Sequence, residues 1–485
     1  MESVASGLPF GLLFVCIPVT LALAIWAPPC VLLLGALVTV AYPGEWQVAG
    51  VHLDINDLLF AGMVLALLRP RLAAGVPRRR VPYLVLWLAL GVLQSLAYYV
   101  APINQEHLNQ SSYAVHHDYL IATAGIAYQI YRYCWRSILY YPLTFWLLDD
   151  RRKFQAGPLS GVFTALAGWL RGDRKKLEAL LLVIVLSGAA CAAMTLPQGF
   201  AGDEATGPFL QKNILGGALV MPFLLSLWGT YYAPSRRQRR LYTLSFLLIA
   251  RALLFAGSRG AFVAILGGVG FLLFWFLSTA HGRSRILRVV GVGALFGIVM
   301  LGLKPDLFER PSVQVFFSIK EGTRADTLQW RMRERWPYFW QKAMDNFWLG
   351  VGTDVDPSLG DSCITPHNGY LGVAAVSGIP SVIITVLLAL LGLWNGMRAF
   401  LRSRDRWQST AGLAITAALV GLLIHNIVDE TIRISFAEQV LWIITAAAAT
   451  LGKRPLGLLP MTAGAPATHP RRPAAVRWSP LGGTP

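Results

Sequence analysis

The sequence predicts an all-α polytopic membrane protein, and three observations predict it. Hydrophobic residues make up 55% of the 485 and charged ones only 14%, a balance that soluble globules do not show. Apolar blocks about twenty residues long recur from end to end, each able to cross a hydrocarbon core ~30 Å thick as a helix. The surplus of Lys and Arg, +17 in net charge, is concentrated in short connections between those blocks, which by the positive-inside rule face the cytoplasm.

Taken in order, apolar blocks at 10–27, 30–42 and 57–68 precede the first basic connection, 69–80. Nothing at the N-terminus has the basic start and small-residue cleavage site of a removable signal, so the first block is expected to stay as a span. Pro28 and Pro29 separate the first two blocks. The middle block is too short for an independent span, so the sequence predicts about twelve helices with both ends cytoplasmic; the alternative is about thirteen with an outside N-terminus. Further basic connections fall at 149–176, 235–240, 281–288 and 397–406, and spans at 177–196, 214–232, 241–256, 261–279, 371–394 and 413–428. Segment 154–170, apolar on one side and bounded by basic clusters, is expected along the cytoplasmic interface. The resulting organisation is about ten helices in 1–304, a large outer loop at 305–366, further spans in 367–451 and a disordered cytoplasmic tail, rich in Pro, Gly and Ala, at 452–485.

Several function classes lack their minimum chemistry. The positive charge follows from topology and forms no contiguous basic face with aromatic platforms, so nucleic acid is not an expected partner. Cysteines at 16, 30, 134, 191 and 363 have neither disulfide-framework nor metal-ligand spacing. No C-x-x-C, H-E-x-x-H or G-x-x-x-x-G-K-[ST] occurs, so no redox, zinc or nucleotide cofactor is expected.

The informative residues are charges stranded in or beside apolar segments, which cost several kcal/mol at membrane depth and usually serve function. Arg132 and Arg136 are one turn apart in the segment 119–148, on a face with Tyr128 and Tyr140. Arg251 and Arg259 are expected on one face of a single helix, Arg259 at its outer end. His425 and Asp429 share a face at an outer helix end, followed by Glu430 and Arg433. His367 opens its helix on the same side, with Pro366 before it and Asn368 after. Each has a plainer reading: arginines at helix ends anchor in headgroups, Asn368 is a good N-cap, His425 can be a packing histidine, and Asp429 with its neighbours can form a local ion-pair network. Together they gather at one depth, as a membrane-embedded site facing outward would be built.

Gly257-Ser-Arg-Gly-Ala-Phe262, a large outer loop, Leu349-Gly-Val-Gly352, His367-Asn-Gly-Tyr-Leu371 and Gly378-Ile-Pro380 follow in that order. This region resembles the signature of the O-antigen ligase and O-antigen polymerase superfamily. Lys212-Asn213 and Arg331-Met-Arg333 also resemble family positions, with either arginine a possible counterpart. The resemblance implies a GT-C-like glycosyltransferase of the bacterial inner membrane, acting at the periplasmic face on an undecaprenyl diphosphate-linked glycan without ATP. Arg132, Arg136 and Arg259 are then candidates for the diphosphate, since the guanidinium fork fits phosphate oxygens. His367 is the candidate general base, and Lys212, Asn213, Ser258, Arg331, Arg333, Asn368, His425 and Asp429 are candidate substrate-binding residues. No divalent metal is then expected, because fixed guanidiniums can stabilise the departing diphosphate.

The acceptor is the lipid A-core oligosaccharide for a ligase, another repeat unit for a polymerase, or a Ser or Thr for a protein O-oligosaccharyltransferase. Arg259 and Gly270 fit one R-x10-G pattern, but no second copy starts at Arg331 or Arg333 in the outer loop, and the single large loop favours a ligase. One displacement would invert the anomeric carbon; Asp429 or Glu430 could instead serve a retaining route. A flippase for lipid-linked glycan is the non-enzyme alternative, with Arg251 the one observation in its favour. A monomer is expected.

Overall fold

The computed structural model of the protein describes residues 16–21, 23–24, 28–38, 45–48, 51–68, 81–100, 130–149, 173–201, 205–207, 212–277, 331–352, 366–429 and 435–453. The basic connections 69–80 and 281–288, segment 154–170, Tyr128, Cys363, Glu430, Arg433, most of the loop 305–366 and the tail from 454 lie outside these residues. What is described is almost entirely helix. Helices α1 (Pro28–Val38), α2 (Ile55–Leu68), α3 (Leu84–Val100), α4 (Arg136–Asp149), α5 (Asp173–Ala193), α6 (Leu196–Ala201), α7 (Lys212–Tyr232), α8 (Arg236–Ala256) and α9 (Arg259–Leu277) are followed by α10 (Trp336–Asp345), α11 (Gly369–Arg402), α12 (Arg406–Val428) and α13 (Ser435–Lys453). Tyr131–Trp135 and Arg331–Arg335 form π-helical turns leading into α4 and α10.

Among the described residues, four helices are long and apolar enough to cross a membrane: Arg174–Gln198, Lys212–Tyr232, Gly369–Arg402 and Arg406–Val428. The short middle block forms helix α1, whose Val31, Leu32 and Ala36 are fully buried. Two departures from the sequence reading have local causes. Between α1 and α2 the chain makes an antiparallel hairpin, β1 (Glu45–Val48) with β2 (Val51–Asp54), which the apolar blocks hid. Arg251 and Arg259 are not on one helix, because Gly257 at φ 60 ends α8 with a left-handed C-cap and α9 begins at Arg259.

The core is built as membrane bundles are, by small residues letting backbones approach. A Cβ on Gly412 would stand 2.9 Å from that of Ala399 and 2.6 Å from the Gly396 carbonyl, which crosses α11 and α12 closely. Gly268 of α9 meets Leu224 of α7 and the Ala417 carbonyl of α12 in the same way. Elsewhere aromatic rings fill the space: Trp87 of α3 stacks on Tyr141 of α4 at 4.3 Å and meets Trp442 of α13 edge-on at 4.2 Å.

The two ends of the bundle differ chemically. At one end basic connections meet: Arg174 pairs with Asp405 at 3.0 Å, Arg406 lies over the Tyr232 ring, and Ser235 with Gln238 forms a capping box that starts α8. From the Gly396–Gly412 crossing, α11 back to Gly378 and α12 on to Asp429 each climb about 26 Å, so Gly378 and Asp429 stand at one height at the other end.

Candidate active site

The site is built where α12 ends and α11 begins. Asn368 caps α11, its Oδ1 accepting from the Leu371 N–H at 3.0 Å. Gly369 N–H donates to the Asp429 carbonyl at 3.0 Å, Asp429 N–H donates to the His425 carbonyl at 3.0 Å, and Tyr370 Oη donates to the Leu423 carbonyl at 2.8 Å. Gly369 lies against Asn426 so closely that a Cβ there would strike the Asn426 amide. These bonds hold His367 at φ 48, a left-handed conformation costing a β-carbon residue about 1–2 kcal/mol. Its Nδ1 is 3.6 Å from Asp429 Oδ1, beyond a hydrogen bond but within ion-pair reach.

Two more helices start at the same place. Ser258 caps α9, its carbonyl accepting from Phe262 N–H at 3.2 Å, and Arg259, the first residue of that helix, is exposed. The next residue, Gly260, packs on α12, where a Cβ would stand 2.8 Å from Val428 Cγ2 and 3.4 Å from His425 Nε2. On its other side α9 meets α7: a Cβ on Gly216 would be 2.7 Å from Ser258 Cβ. Lys212, one turn before Gly216, and Asn213 open α7 at this end. Helices α7, α9 and α11 thus bring their partially positive N-termini together beside the last turn of α12, with Lys212, Arg259 and His367 at their starts, a setting that favours an anion.

Segment 331–352 closes on this end through bonds to backbone carbonyls. Arg331 Nη1 donates to the Val428 carbonyl at 3.3 Å, while Arg333 is exposed; Trp336 Nε1 donates to the Pro366 carbonyl at 3.0 Å. Val351 and Gly352 N–H donate to Ala375 and Val376 carbonyls at 2.8 and 3.0 Å, and Ile379 N–H donates to Phe347 O at 2.9 Å. Carbonyls of Ala375 and Val376 accept these bonds because α11 breaks at Gly378, φ 81 and ψ 163. A Cβ on Gly350 would press on Ala375–Ser377 backbone and one on Gly378 on the Trp348 carbonyl. The two glycine motifs are therefore the halves of one clasp.

Residues 244–386 match the family model described as O-antigen ligase. Over this stretch the chain is O-antigen ligase-like. It takes in Ser258, Arg259, Arg331, Arg333, His367, Asn368 and both halves of the clasp; Lys212, His425 and Asp429 lie outside it. No curated protein matches the chain.

Other predicted residues sit apart from this joint. Arg136 Nη1 is 3.1 Å from Asp57 Oδ1, both side chains almost wholly buried; Tyr131 Oη donates to the same oxygen at 2.9 Å, and Glu438 is within electrostatic range of Arg136. Neither Asp57 nor Glu438 was singled out from the sequence, although each is an acid in an apolar block, the signal that drew attention to the arginines. Arg132 lies on the π-turn beside this network; its side chain is outside the description. Arg251 Nη2 donates to the Leu196 carbonyl at 3.5 Å and its guanidinium lies over Phe255, so it ties the α6 turn to α8. His425 is fully buried, one turn beneath Asp429.

Proposed function

We propose that the protein is a metal- and ATP-independent O-antigen ligase of the inner membrane, transferring glycan from undecaprenyl diphosphate to a lipid A-core hydroxyl at the periplasmic face. The observation that carries this reading is the convergence of three helix N-termini, headed by Lys212, Arg259 and His367, on the Asp429 end of α12 within and beside the ligase-like region. In this reading Arg259 and Lys212, with Asn213 and Ser258 beside them, take the diphosphate. Their charge is fixed before reaction, so it stabilises the leaving group more as the glycosidic C–O bond breaks. His367 accepts the acceptor's hydroxyl proton on Nε2, with Nδ1 toward Asp429, whose carboxylate orients the ring and stabilises the imidazolium. The acceptor oxygen bonds to the anomeric carbon as the lipid diphosphate departs, inverting that centre.

Arg331, with its side chain on the last turn of α12, is the better placed of the two loop arginines to meet an acidic acceptor sugar; Arg333 serves farther out. Asn368 and His425 hold His367 and Asp429. The remaining architecture in this reading is the monomeric, GT-C-like arrangement of about twelve spans with the loop 305–366 outside and the tail 452–485 inside. Arg251 bonds to the α6 turn, which weighs against its lining a flippase path.

The test is reconstitution of purified protein with undecaprenyl diphosphate glycan and rough lipopolysaccharide, without ATP and with a chelator. Lipopolysaccharide of higher mass is the expected product. Glycan lengthened on its lipid, with no acceptor modified, would replace the ligase by a polymerase; donor crossing the bilayer with no new glycosidic bond would overturn the enzyme reading.

A further inference from the structure

We infer that α10 is seated in the outer boundary of the bilayer, its outward apolar face lying on phospholipid acyl chains. The helix carries two apolar faces. Phe339 and Ala343 are buried and pack on α11. Trp340 and Met344, one turn apart on another side, are 53% and 46% exposed, and Phe347 and Trp348 in the turn that follows continue that surface at 37% and 71%. Gln341 and Asp345 are exposed on the side opposite Phe339 and Ala343, and Lys342 reaches over the Tyr338 ring at 5.2 Å. Apolar toward α11, apolar on the adjoining outward flank and polar on the side opposite α11 is the pattern of a helix lying in an interface.

Height decides what covers the outward face. The Phe347 carbonyl accepts from Ile379 N–H, so Phe347 and Trp348 are fixed at the level of Gly378, the same level as Asp429. From Arg406, at the basic end, α12 climbs about 34 Å to Asp429. An apolar core ~30 Å thick measured from the basic end therefore has its far boundary at Trp348, where membrane proteins concentrate Trp. Water would leave four large apolar side chains wet together; lipid at this height covers them. The segment that begins with Arg331 on Val428 and passes through Trp336 on Pro366 would then hold the His367 joint at headgroup level. This placement concerns lipid contact and stands or falls separately from the reaction.

The test uses the full chain in phospholipid nanodiscs, with Cys363→Ser removing the outer-loop thiol and nitroxide labels on single cysteines at Trp340→Cys, Met344→Cys and Trp348→Cys, and at Gln341→Cys and Asp345→Cys. The first three should collide more often with oxygen than with an aqueous nickel chelate, and the last two the reverse. All five favouring nickel would overturn the inference, as would the first three shielded from both reagents, which is the mark of a covering protein segment. An unlabelled check accompanies it: acyl-brominated lipid should quench less of the tryptophan emission in the Trp340→Phe/Trp348→Phe double variant than in the wild type, and equal quenching would contradict the seat.

Discussion

Nδ1 of His367 stands 3.6 Å from Oδ1 of Asp429, across a joint in which the backbone of Gly369 is bonded to the backbone of Asp429 itself. The imidazole and its carboxylate are therefore positioned by the same hydrogen bond that fastens α11 to α12, and the left-handed His367 backbone is the local cost of that geometry. Asp429→Asn keeps the joint and removes the charge. It should lower kcat by about 10²-fold or more while leaving donor KM within about threefold; steady-state transfer rates over a range of donor concentration read both.

Arg259 is predicted to act through planar, bidentate contact with phosphate oxygens. Arg259→Ala should lose about 10²–10³-fold in turnover, and Arg259→Lys should recover only part, because an ammonium is a point charge without the fork. Full recovery by lysine in the same transfer assay would mean that the charge alone matters.

The clasp between 349–352 and the break in α11 makes a stability prediction. Gly378→Ala forces a β-carbon into a conformation that only glycine holds easily and against the Trp348 carbonyl, so it should cost at least about 1–3 kcal/mol. Gly270→Ala is the control, with nothing within 4 Å of the new Cβ. Thermal unfolding in detergent should show the first melting several degrees lower and the second unchanged or slightly higher, since alanine suits a helix interior better than glycine.

Asp57 and Arg136 predict an asymmetry. Asp57→Ala leaves a buried guanidinium without its carboxylate and should destabilise by about 3–5 kcal/mol, whereas Asp57→Ala with Arg136→Met should recover most of that loss. Unfolding midpoints of the single and double variants decide it.

Much of the membrane character was legible in the sequence because one property, apolar length, governs it. Lys212–Tyr232 and Arg406–Val428 appear at the predicted places, and the basic ends of α5, α8 and α12 meet at one side. The candidate site was legible to the extent that charge in apolar surroundings is rare: Arg259, His367, His425 and Asp429 were picked out this way, and His367, Asp429 and His425 stand together, with Gly260 beside Arg259 packed on His425. What stayed hidden depends on geometry that hydropathy does not encode. Spans 241–256 and 261–279 were told apart, yet Arg251 and Arg259 were given one helical face because their spacing fits a helical repeat across Gly257. Arg136 looked available for phosphate because its partner, Asp57, is far away in sequence. The joint role of Gly350 and Gly378 needed three dimensions, since only there do the two motifs touch.

The central claim is that His367 is the base of a glycosyl transfer at this end of the bundle, and single-turnover transfer by His367→Gln tests it most directly. Protein that elutes and melts like wild type and still binds donor should form product about 10²–10⁴-fold more slowly; transfer at the wild-type rate by that folded variant would contradict the account.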